Sequence, residues 1–196
     1  MNKTDIIKSI EECFDLLKEI YHDEKLQEAI YIVSEVIISA IKNGNKVLFF
    51  GNGGSAADAQ HMAGEFVCRF KMNRKSIPGI ALTTDTSVIT AISNDFEFKD
   101  VFARQIEGIS SKGDIAFAIS TSGNSENILC ALKKANQLDL VTIGLTGKTG
   151  GAMKNFCNHI ICIPSNNTPR IQEVHLLVEH CICSVVEKFI CLESEK

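Results

Sequence analysis

Two short segments of the 196-residue chain are rich in groups that hold anions without carrying charge. Gly51-Asn-Gly-Gly-Ser-Ala56 places three glycines, whose backbone amides can approach a ligand closely, ahead of a helical pattern. The N-terminus of such a helix adds a partial positive charge of about half a unit. Ser120-Thr-Ser-Gly-Asn-Ser125 sets the hydroxyls of Ser120, Thr121, Ser122 and Ser125 around Gly123, a lining suited to a phosphate ester. Either segment alone is ordinary turn and cap chemistry; the two together point to phosphate. The first also matches G-x-G-x-x-A, but a dinucleotide site needs an acidic residue about 20 positions on, and Asp85 lies too far downstream. Gly147-Lys-Thr149 has the ending of a P-loop, yet the required glycine is replaced by Thr142, so ATP binding by that motif fails.

A second set of residues can bind a metal or move protons. His61 and Glu65 are four residues apart and share one helix face. Gln172 and His180 are eight apart, about 80° round a helix of ~3.6 residues per turn. Two imidazoles, a carboxylate and an amide oxygen suit a borderline cation, with glutamine the uncommon member. Taken singly, His61 and Glu65 read as a local side-chain pair, and His180, near Leu176, Leu177 and Ile182, as a core or interface histidine. His22, His159 and His175 read as structural.

The elements that must position these groups show in the hydrophobic spacing. Ile6, Ile10, Cys13, Phe14 and Leu17 recur at three- and four-residue steps, predicting a helix over 5–20; a second runs over 24–41 until Asn43-Gly44-Asn45 stops it. Apolar runs at 47–50, 80–82, 115–119, 141–145 and 160–163 then alternate with helical patterns, and a long helix over 168–191 closes the chain. This predicts an α/β fold, a doubly wound five-stranded parallel sheet of flavodoxin type with two N-terminal helices and a long C-terminal one. A single domain over 1–196 is expected, with 1–44 a helical extension and 45–196 the α/β core. Ligands of such sheets sit beyond the carboxyl ends of the strands, where both polar segments fall.

Composition excludes other classes. Twenty basic against 24 acidic residues give a net charge of −4, which argues against nucleic-acid binding through bulk positive charge. The apolar stretch over 30–41 is broken by Ser34, Glu35 and Ser39 and is shorter than the ~20 residues that span a bilayer, so no membrane partner is expected. The charged N-terminus lacks a secretory pattern and is expected to be retained. Eight cysteines without a C-x-x-C pair are expected to be reduced, buried and cytosolic.

Longer stretches carry a resemblance. GNGGSAADAQHMAGEF over 51–66, TTDTSVITAISNDFEFKDVFARQ over 83–105, AISTSGNSENI over 118–128, GLTGKTGG over 144–151 and RIQEVHLLVEH over 170–180 are similar to the phosphoheptose isomerase family of the sugar isomerase (SIS) fold. The resemblance spans nearly the whole chain. It implies a cytoplasmic homotetramer with one Zn²⁺ per subunit that converts D-sedoheptulose 7-phosphate to D-glycero-D-manno-heptose 7-phosphate through an enediol, supplying heptose for lipopolysaccharide or capsule. By position it implies zinc on His61, Glu65, Gln172 and His180, phosphate on Ser55, Ser120, Thr121, Ser122 and Ser125, and sugar on Asn52, Gly53, Gly54, Glu65, Asn94, Asp95 and Gln172. Glu65 is expected as the base at carbon and His180 as the acid at oxygen, each worth about 10²- to 10⁴-fold. Glu97 stands where the family usually has glycine. A noncatalytic SIS tetramer that binds the replication initiator DnaA is the alternative; those relatives typically lack the carboxylate at 65 and the imidazole at 180, and this chain has both. An SIS enzyme for another sugar phosphate would share the phosphate loop.

Overall fold

The computed structural model describes residues 3–194. Five strands, β1 (Val47–Gly51), β2 (Gly79–Ala81), β3 (Ile115–Ser120), β4 (Val141–Thr146) and β5 (His159–Cys162), pair in parallel in the order β2-β1-β3-β4-β5. The expected runs are all strands; β2 and β5 start and end one residue earlier than the apolar pattern placed them. Two helices, α1 (Lys3–His22) and α2 (Glu24–Lys42), precede the sheet. The connections carry α3 (Gly54–Val67), α4 (Thr86–Asp95), α5 (Val101–Ile109) and α6 (Glu126–Gln137), and α7 (Thr168–Ser194) follows β5.

The strands carry apolar side chains on both faces because both are covered. Val47 and Phe49 join Ile115, Phe117, Ile143 and Leu145 beneath α2, α3 and α7. Leu48 and Phe50 point the other way, with Ala116 and Ala118, against Ile92, Phe102, Ile106, Ile128 and Leu132 of α4, α5 and α6. Removing one such side chain from water is worth about 1.5–3 kcal/mol, so the two layers hold the sheet from both sides. Asp23 caps α2 by accepting from the Leu26 amide at 3.0 Å. Asp85, the acidic residue weighed for a ribose, caps α4 instead, accepting from the Val88 amide at 3.0 Å.

One feature adds to what the spacing predicts and another corrects an expectation. In α1 only Leu16 and Ile20 are buried; Ile6, Ile10, Phe14, Leu17 and Tyr21 form an exposed stripe. Helical period identifies a face, but α1 touches the rest of the chain chiefly along α7 and α2, so its apolar stripe finds no cover among the described residues. The eight cysteines are all free, as expected, but only Cys183 and Cys191 are buried; Cys68 and Cys181 are exposed and the other four half-buried. They sit on helix flanks and strand ends, where an apolar neighbourhood in sequence does not mean enclosure in space.

Candidate active site

From β1 the chain passes to β2 on one side and, later, to β3 on the other, so a crevice opens at the carboxyl ends of β1 and β3. Register places Gly51 beside Ile119, which brings the segment after β1 next to the one starting at Ser120. Gly51 has no room for a side chain: a Cβ there would lie 2.5 Å from the Ser55 carbonyl oxygen, because α3 turns directly over the strand end. Gly53 makes that turn with φ of +58°, a left-handed conformation that favours glycine. Ser55 is buried in the first turn of α3.

In the second segment Ser120 is buried, Thr121 and Ser125 are half-buried and Ser122 is exposed. Ser125 occupies the N-cap of α6 without its side chain capping the helix, which leaves the hydroxyl to a ligand. A third loop braces this one. Gly147 donates from its amide to the Thr121 carbonyl at 3.1 Å, and Met153 to that of Gly123 at 2.9 Å. A Cβ on Gly151 would meet the Ser122 carbonyl oxygen at 2.4 Å. A cavity of about 250 Å³ lies between the two loops, lined by Thr121, Ser122, Asn124, Lys148, Thr149 and neighbours on the approach to α7. Lys148 is the charged group in that lining; the incomplete P-loop pattern gives it no role, and its value to an anion shows only once the loops are adjacent. A larger recess, about 560 Å³, lies away from these loops between α2 and the end of α7.

The His61/Glu65 pair of α3 meets His180 of α7, while Gln172 lies nearer the start of α3. His61 Nε2 and His180 Nε2 are 2.8 Å apart, and Glu65 Oε1 is 3.8 Å from the same His61 nitrogen. Glu65 and His180 therefore both lie within reach of one atom. Between two neutral imidazoles at this distance, one nitrogen carries the proton and the other accepts it. The Phe70 ring packs against His180 at 5.4 Å between centroids. Gln172 packs on the first residue of α3, so close that a Cβ on Gly54 would stand 2.2 Å from its Nε2. The donor types suit a borderline divalent cation, and two of the nitrogens already face each other. Among the described residues, however, no three His, Cys, Asp or Glu side chains are gathered closely enough to hold a metal on their own. Asn94 and Asp95 lie at the exposed end of α4, where the Asn94 amide donates to Asp95 at 2.8 Å, and the structure records no hydrogen bond from this pair to either loop.

Sequence reasoning missed two features. Asn52 and Asn127 exchange amide hydrogen bonds of 2.9 and 2.8 Å, tying the first loop to α6 at its buried first turn; the partners are 75 residues apart and nothing local signals the pair. Behind His61 and His180, His175 and Glu179 are buried and Asp58 half-buried, and each has enclosed side-chain atoms without a hydrogen-bond partner among the described residues. Burial pushes Glu179 up to about 9, with the Asp58 charge adding to it. It pushes Asp58 up to about 6 against the opposing His61, and His175 down to about 4. The Thr146 backbone acts the other way on His175 without making a hydrogen bond of ordinary geometry. Polar types on the otherwise apolar inner face of α7 were the available signal for His175 and Glu179.

With this geometry in place, comparisons with known proteins become informative. Residues 10–147 match the SIS domain family. The phosphoheptose isomerase of Clostridium acetobutylicum is 47% identical over 186 residues, covering 95% of each chain. Phosphoheptose isomerase 2 of Campylobacter jejuni is 55% identical over 174 residues, covering 88% of this chain and 87% of its own. A solved phosphoheptose isomerase structure from Francisella tularensis superposes with a TM-score of 0.91 at 38% identity, covering 96% of this chain and all of that one.

Proposed function

The chain belongs to the phosphoheptose isomerase family of SIS-domain proteins, and we propose that it converts D-sedoheptulose 7-phosphate to D-glycero-D-manno-heptose 7-phosphate. The observation that carries this reading is the meeting of α3 and α7 at His61, which brings Glu65 and His180 to one patch on the helix that starts at the first phosphate-type loop. The phosphate sits among Ser55, Ser120, Thr121, Ser122 and Ser125 at the N-termini of α3 and α6, with Lys148 supplying charge. Asn52, Gly53, Gly54, Asn94, Asp95 and Gln172 hold the open-chain sugar. Glu65 removes a proton from C1 while His180 protonates the C2 oxygen, giving the enediol. Glu65 then returns the proton to C2 as His180, left without its proton by the first step, takes one from the C1 hydroxyl, leaving the aldehyde.

His61, Glu65, Gln172 and His180 have the donor chemistry to hold one Zn²⁺, which as a Lewis acid would stabilise negative charge on the sugar oxygens. A carboxylate shared with a cation is a weaker base, so Glu65 serves both purposes only if one oxygen is left to the proton. The exposed α1 stripe of Ile6, Ile10, Phe14, Leu17 and Tyr21 supports self-association, since an apolar patch of this kind marks an association surface, and the family resemblance implies a homotetramer. Eight free cysteines favour a reducing, cytoplasmic setting, and no helix among the described residues is long and apolar enough to cross a membrane.

Incubating the protein with sedoheptulose 7-phosphate and following the sugar by NMR tests the reading: the aldose phosphate should appear, and an unchanged spectrum at micromolar protein would refute it. Chelation should lower the rate and zinc restore it. Indifference to both would remove the metal from the mechanism while leaving the acid and base in place.

A further inference from the structure

Glu65 lies in the last turn of α3, where backbone carbonyls have no partner within the helix. Arg74, nine residues later, supplies one. Its Nη2 donates to the Glu65 carbonyl at 2.7 Å, and its Nη1 to those of Phe66 at 2.9 Å and Lys75 at 3.0 Å. Its Nε donates to Glu187 Oε1 at 3.0 Å. Glu187 belongs to α7, about two turns beyond His180. Its carboxylate also accepts from the amides of Phe70 at 2.8 Å, Lys71 at 2.7 Å and Met72 at 3.0 Å. Both side chains are 2% exposed. The pair thus joins three pieces: the helix turn that bears Glu65, the helix that bears His180, and the connecting strap whose Phe70 packs against the His180 ring.

A buried ion pair is weak evidence for stability, because apolar residues of similar volume often hold a core as well or better. What apolar residues lack is direction. Six hydrogen bonds of fixed geometry, all of these but the one to neighbouring Lys75, set where the end of α3 and the strap stand relative to α7, and a displacement of about 1 Å in a reacting group costs on the order of 10²-fold in rate.

We propose that Arg74 and Glu187 are positioning residues, a buried strut that holds Glu65 and the Phe70-backed His180 at the separation one substrate requires. This rests on the isomerase reading above. The test uses the full chain in three variants, Arg74→Lys, Glu187→Gln and the double apolar replacement Arg74→Met with Glu187→Leu. Each is read by thermal melting, by kcat and KM on sedoheptulose 7-phosphate, and by the NMR shifts of the His180 ring protons, which Phe70 displaces through its ring current.

Folded variants should lose kcat by about tenfold or more with KM changed by less than about threefold, and their His180 resonances should move towards those of a free histidine. The apolar pair should do so while melting close to the unaltered protein. Folded variants that keep kcat and leave the His180 resonances in place would overturn the proposal. So would failure of all three variants to fold, which would make the pair a stability element alone. An unaltered protein inert towards the sugar phosphate would refute the isomerase reading, and the His180 shifts would still decide the strut.

Discussion

Gly54→Ala separates the stability of this protein from its activity. Gly54 is the first residue of α3 and its φ is not in the left-handed region, so the backbone accepts alanine. Glycine in a helix costs roughly 0.5–1 kcal/mol relative to alanine, so on helical grounds the variant should melt no lower than the parent. The added methyl, however, would stand 2.2 Å from Gln172 Nε2, 3.0 Å from its Cδ and 3.4 Å from its Oε1. Comfortable contact begins near 3.5 Å, so the amide must retreat by about 1.3 Å. The end of a glutamine yields at little cost to folding. For a group that holds the sugar or its cation the same shift matters, and about 1 Å of misplacement corresponds to roughly a hundredfold, near 2.7 kcal/mol of barrier.

The expected result is therefore kcat/KM down about a hundredfold with an equal or higher melting temperature, measured by NMR turnover of sedoheptulose 7-phosphate and by thermal melting. A cycle sharpens the test: on a Gln172→Ala background the clash is gone, and Gly54→Ala should then cost almost nothing further. Full activity of the single variant, or an undiminished loss on the Gln172→Ala background, would refute the argument.

Glu65→Gln should leave the fold intact and lower kcat by about 10²- to 10⁴-fold, the usual contribution of a positioned base; near-normal turnover would remove Glu65 from that role. His175→Leu should flatten the acid side of the stability curve. Burial holds the folded imidazole near 4, whereas the unfolded one protonates near 6.5, so the unfolded state binds the extra proton and stability falls as pH drops through that window. The slope is at most about 1.4 kcal/mol per pH unit; melting curves of the two proteins that stay parallel between pH 6.5 and 4 would contradict it.

Asp114→Ala should destabilise by about 2 kcal/mol, because the buried carboxylate accepts from the Lys46 ammonium at 2.6 Å, the Lys46 amide at 3.0 Å and the Ser111 amide at 2.7 Å. Burial alone would raise Asp114, but those hydrogen bonds outweigh it and hold it below the usual carboxylate range. Its contribution is thus present above that range and lost as pH falls through the lowered folded value. The pair lies at the opposite end of β1 and β3 from the loops, so kcat of the folded variant should be unchanged, and an altered kcat would show that the two ends communicate.

Local physics made part of this molecule legible before folding. Short apolar runs marked all five strands, 3.6-residue periodicity put His61 and Glu65 on one face of α3, and the residues after β1 and β3 carried the hydroxyls and glycines that an anion needs. Those features depend on neighbours within a few positions, so they can be read from the order of residues alone. Three others depend on chain segments tens to more than a hundred residues apart: the 2.8 Å approach of His61 to His180, the Asn52–Asn127 amide pair, and the Arg74–Glu187 strut. Only packing of α3 and α6 on the parallel sheet and α7 across α3 brings those partners together. The same packing left the α1 stripe uncovered and buried His175 and Glu179 behind the site, with Asp58 half-buried beside them. A residue's type and spacing set which chemistry it can offer and to which side of its own element; which distant group it faces, and how much water remains around both, is decided by the tertiary arrangement.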